Sequence, residues 1–216
     1  MTSRTRNHRF TVLSRALHWT MAAMVIAMLF IGVAMVVSPS AYHALLFIHR
    51  PLGIAVLALA LIRVVNRLLH RPPPHPPTMS RPERALAIGS EYLLYGLLLV
   101  QPLVGWSMTS AAGNPVVLSG SLHLPDLLPP SPALYAALHQ VHTILAYLLF
   151  FAFAAHLSAV LFHSLVLRDG LLDRMAFWSC ARTKPQFTND AEDSRPMSSR
   201  PLTSTDDRDV DSPRPE

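Results

Sequence analysis

Four histidines lie within stretches of this 216-residue chain that are too apolar to be loops: His18, His49, His142 and His156. An imidazole in hydrocarbon costs free energy unless its ring nitrogens find partners. His142 and His156 are 14 residues apart in the segment "HQVHTILAYLLFFAFAAHLSAVLFH". At about 100° and 1.5 Å per helical residue, they share one face and lie about 21 Å apart along the axis. One helix therefore offers a nitrogen ligand at two depths. Two imidazoles facing each other from different helices suit haem iron, which takes an axial ligand on each side. A zinc ion would want about four ligands at one depth, and only a pair is on offer.

The elements that must position these side chains are apolar blocks at about 16–37, 44–69, 85–108 and 138–167. Each reaches the roughly 20 residues a helix needs to cross the hydrocarbon layer. The expected fold class is all-α, an integral membrane four-helix bundle with ligand sites in its core. Arg4, Arg6, Arg9 and Arg15 precede the first block, as in a cleavable leader. A leader's apolar region is usually about 7–15 residues, so this longer block is expected to remain as a span.

Charge sets the expected orientation. The arm 1–15, the proline-rich linker "PPPHPPTMSRPER" and the segment after the fourth block are basic, whereas the connection 109–138 holds only Asp126 as a charged residue. The positive-inside rule puts both termini and the linker in the cytoplasm. Blocks of alternating direction then sort the histidines into an inner pair, His18 with His156, and an outer pair, His49 with His142. A lone intramembrane histidine can be satisfied by a neighbouring carbonyl or serine. Two depth-matched pairs favour ligation over four such coincidences.

Other residues carry weaker signals. His139 and His163 flank the fourth span; the first suits a wet interface, and the second either an interface, a quinone pocket or a haem propionate. His8, His43, His70, His75 and His123 fall in loops or ends. Arg15 and Arg50 adjoin His18 and His49, and either can pair with a propionate through a charge-assisted hydrogen bond. Arg15 equally fits ordinary topology setting, and Arg50 fits an anionic substrate on the outer side.

Composition excludes several classes. The net charge of +5 comes from residues flanking the apolar blocks, which argues against nucleic-acid binding. A single cysteine, Cys180, permits no internal disulfide. Residues 179–216 are rich in Ser, Pro, Asp and Arg, and are expected to form a disordered cytoplasmic tail. The transmembrane domain is thus expected over 16–176.

The ordered pieces "LSRALHW", "IHRPLG", "PLVGWSMTSAAGNP" and the fourth span followed by "RDGLLDRM" resemble the bacterial cytochrome b561 family over about residues 10–176. The resemblance implies a multi-pass inner-membrane cytochrome holding two haem b groups through four axial histidines, which match His18, His49, His142 and His156. It also implies exchange of electrons with the quinone pool, most concretely as a superoxide:ubiquinone oxidoreductase. One departure is His49-Arg50-Pro51-Leu52-Gly53 where many relatives read His-Lys-Ser-Leu-Gly; arginine keeps the charge of lysine but not its geometry. Expected partners are membrane lipid, quinone and either superoxide or a redox partner protein. Two rival readings stay open: an electron-transfer subunit serving a dehydrogenase or hydrogenase, and a haem-free transporter or signalling bundle with structural histidines.

Overall fold

The computed structural model describes residues 10–70, 80–119, 122–168, 172, 175 and 176. The arm before Phe10, the proline-rich stretch 71–79 and the tail expected at 179–216 lie outside the described residues, as do His8, His75 and Cys180.

Four long helices form: α1 Val12–Val37, α2 Tyr42–Leu69, α3 Arg81–Ala111 and α4 Pro132–Leu161. Helices are what lipid demands, because every backbone polar group must be satisfied within the span. All four are long and apolar enough to cross a membrane. α1, α3 and α4 begin ahead of their apolar blocks, where capping residues at the polar edges satisfy terminal N–H groups. The Thr11 hydroxyl accepts from Ser14 N, and Ser131 accepts from Leu134 N ahead of a proline at the first helical position. Ser80 and Glu83 form a reciprocal capping box at the start of α3.

α3 ends in a Schellman turn: Gly113 N donates to Ser110 O and Asn114 N to Thr109 O. Gly113 has φ +68°, a left-handed conformation that a Cβ would strain. The connection that follows carries a short antiparallel hairpin, β1 Val117–Ser119 and β2 Leu122–His123, which no alternation in the sequence had signalled. α2 and α3 run through Pro51 and Pro102 without ending. After α4 comes one π-helical turn, Phe162–Leu167, then Arg168 in the left-handed region.

Cross-helix hydrogen bonds gather the start of α1, the end of α2 and the start of α3 with residues 175 and 176 at one end, here the basic end. The hairpin marks the other. α2 packs along both α1 and α3, and α4 packs along α3. Among the described residues, the backbone of α4 barely meets α1 or α2. Halfway between the ends, Met21 and Val25 of α1 and Val56 and Ala60 of α2 form a buried apolar cluster, joined by Leu98, Leu99 and Phe153. Outside it, large apolar side chains such as Phe30, Phe47 and Phe151 are 64–77% exposed, which suits lipid rather than water.

Candidate functional site

The helix pairs that do not close on each other are the ones that carry the histidines. At the hairpin end, the rings of His49 on α2 and His142 on α4 face each other with centroids 6.3 Å apart and planes inclined at 75°. Direct imidazole–imidazole hydrogen bonding at that separation is absent from the structure, and the Nδ1 atoms of both rings are buried without partners. A metal–imidazole bond is about 2 Å. Two such bonds and the inner halves of two rings add up to roughly the spacing found, so these two imidazoles are spaced to hold a haem iron were one bound. The slack backbone packing of α4 against α2 would leave room for a porphyrin.

α3 has no histidine, yet it builds the wall behind His142. Gln101 Nε2 donates to the His142 carbonyl at 3.1 Å and lies 3.3 Å from the ring Nε2. A Cβ added at Gly105 would lie 3.1 Å from His142 Cε1, a tight contact that glycine avoids, so the ring lies close against that backbone. Neither residue was a candidate from sequence. The turn above is sealed by Ser110, 1% exposed, whose hydroxyl donates to Trp106 O and accepts from Leu127 N. Trp106 Nε1 in turn donates to Pro125 O.

At the basic end, His18 of α1 and His156 of α4 are both half-buried. Between His18 and Tyr95 of α3 stands Arg63 of α2, which sequence reasoning passed over. Its guanidinium lies 2.9 Å from His18 Nδ1 and 3.3 Å from the Tyr95 hydroxyl, with its carbon 5.5 Å from the centre of the Tyr95 ring. A signal was available: Arg63 follows His49 by 14 residues, the spacing that separates His142 from His156. On that period it shares His49's face at the other depth.

Around this pair runs a polar network. Asn66 Nδ2 donates to Ser14 Oγ at 2.8 Å, and Arg67 pairs with Glu91 at 2.7 Å. Arg15 donates to Ala176 O and Trp19 Nε1 to Met175 O, which ties the chain beyond α4 to the first turns of α1. Ala176 is fully buried there. Arg50, beside His49, keeps its Nε buried and without a partner. His139 is exposed, and His163 is half-buried within the π-helical turn. His43, His70 and His123 are exposed and apart from both histidine pairs.

Residues 9–178 match the family model described as prokaryotic cytochrome b561. The chain belongs to that family. It is 29% identical over 170 residues to cytochrome b561 homolog 2 of Escherichia coli (strain K12), covering 77% of this chain and 90% of that protein. It is 27% identical over 168 residues to a probable superoxide oxidase CybB of Yersinia pestis, covering 77% and 95% of the two. A cytochrome b562 of Cereibacter sphaeroides is 29% identical over 181 residues, 79% and 97% of the respective lengths. Membership carries the coarse identity: a b-type cytochrome of electron transfer, binding haem b, in the bacterial inner membrane as a multi-pass protein.

Proposed function

We propose that this cytochrome holds two haems, one between His49 and His142 and one between His18 and His156. In the same reading it passes electrons from superoxide at the hairpin end to ubiquinone. The observation that carries the ligand assignment is the 6.3 Å separation of the His49 and His142 rings across a gap between helices. The similarity to a probable superoxide oxidase supports the choice of donor. The hairpin end then faces the periplasm and the basic end, with both termini, the cytoplasm, in keeping with the arginines.

Haem b, when bound, supplies a one-electron iron couple. The chain's own residues do the rest. Four half-buried imidazoles would set the depth at which the haems are held and limit the access of water there. Arg50, cationic beside His49 on a side poor in basic residues, attracts an anion such as superoxide and offers its buried Nε as a donor. The apolar cluster around Val25, Val56 and Phe153 separates the two levels and keeps protons and ions from crossing with the electron.

A dithionite-minus-oxidised absorption spectrum of the purified chain comes first, and a protein without haem bands would end the cytochrome reading. Pulsed superoxide should then reduce the protein rapidly, with ubiquinone reduced in stoichiometric amount. Haem that accepts electrons only from a co-purified dehydrogenase or hydrogenase would replace this reading with that of a subunit.

A further inference from the structure

The guanidinium of Arg63 is a permanent cation a turn and a half inside α2, about 9 Å from its end by helical rise. Its partners in the structure are an imidazole and a phenol, and neither is an anion. The described acidic residues lie elsewhere: Glu83 caps α3, Glu91 is taken by Arg67, and Asp126 belongs to the hairpin-end connection. A charge at that depth without a counter-ion is costly, and such residues characteristically pair.

Hydrogen-bond chemistry adds a second constraint. Arginine only donates, so at 2.9 Å the His18 Nδ1 must accept, which places the ring proton on Nε2. An imidazole that binds metal through Nε2 carries its proton on Nδ1, where two donors would then confront each other. One that binds through Nδ1 needs the position Arg63 occupies. In either case Arg63 cannot keep this contact once His18 takes iron.

We propose that Arg63 is the carboxylate-binding residue of the basic-end haem, pairing with a haem propionate when the cofactor is bound. The proposal rests on the assignment of His18 and His156 as ligands. It explains why a cation occupies, on the histidine face of α2, the level at which α4 carries His156. The guanidinium matches a carboxylate in two parallel hydrogen bonds, and the haem brings an anion that the described acidic residues do not supply. Tyr95 holds the side chain in this part of the bundle.

The test uses the full chain produced without haem and titrated with protohaem or with its dimethyl ester, in which both carboxylates are masked. The basic-end haem is the spectral component missing from His18→Ala. Wild-type protein should bind the acid form at that site about ten- to a hundredfold more tightly than the ester, the value of a hydrogen bond to a charged group. Arg63→Met should erase the preference and lower the midpoint potential of that haem alone, because an uncompensated carboxylate disfavours reduction. Arg63→Lys should restore part of both. Preference for the acid form that survives unchanged in Arg63→Met overturns the proposal. Should Arg63→Met fail to keep its hairpin-end haem, Arg63→Gln is read by the same criterion. Retention of both haems by His18→Ala would overturn the ligand assignment itself, a separate and distinguishable failure.

Discussion

The two ends of the bundle hold equivalent side chains in different ways. At the hairpin end His142 is fixed by shape: the bare backbone of Gly105 lies against its ring, and a neutral amide, Gln101, reaches its carbonyl. At the basic end His18 is fixed by charge, through the Arg63 guanidinium and a network that includes Tyr95, Asn66 and the Arg67–Glu91 pair. Shape is insensitive to oxidation state, whereas a nearby cation favours the reduced form of any redox centre beside it. The contrast teaches that neighbouring helices set different surroundings for two histidines on one helix; if both levels hold haem as proposed, their potentials are expected to differ.

The strongest way to break this comparison is to delete a ligand at one level. His142→Ala should lower haem content by about half and spare the basic-end spectrum, and His18→Ala should do the reverse; both follow from one axial pair per site. Haemochrome assay with low-temperature spectra reads the result, and equal loss at both levels in a folded protein would deny that the sites are separable.

Gly105→Leu probes shape alone. Overpacking at such a site typically costs about 1–3 kcal/mol. It should therefore weaken haem binding at the hairpin end by about fivefold to a hundredfold and leave the basic end unchanged in a haem titration. A uniform effect on both would mean that Gly105 serves the general packing of α3.

Two smaller changes ask whether the basic-end network is structural or electronic. Ser80→Ala removes the capping box of α3 and should reduce thermal stability by about 1 kcal/mol, with both haem spectra intact. Glu91→Gln breaks a pair whose side chains are 27% and 33% exposed, so its cost to stability should be at most about 1 kcal/mol. A large potential shift at the basic end on Glu91→Gln would place that carboxylate in the redox environment and redraw the boundary between the two kinds of site.

Much of the molecule was legible from the chain alone. The four spans follow from the length of each apolar block, and the caps at Thr11, Ser80 and Ser131 account for the helices beginning earlier than those blocks. The His49–His142 pairing was expected from depth, and the structure brings those rings together. Arg63 was hidden because it lies among arginines that set topology, and a charge count treats them alike. Gln101 and Gly105 were hidden because their roles depend on how closely α3 approaches α4, a distance that no local pattern carries. The strands Val117–Ser119 and Leu122–His123 are held by pairing with each other rather than by alternation of residue types.

The sequence by itself determined that the chain lives in a membrane, how many times it crosses, and that histidines recur at two levels. These are properties of single helices, fixed by hydrophobic length and by the 3.6-residue period. Which neighbour meets each imidazole, a glycine backbone or a guanidinium, was decided only when the helices packed. Side-chain environments arise between segments distant in the chain, and the rotation of one helix against another settles them.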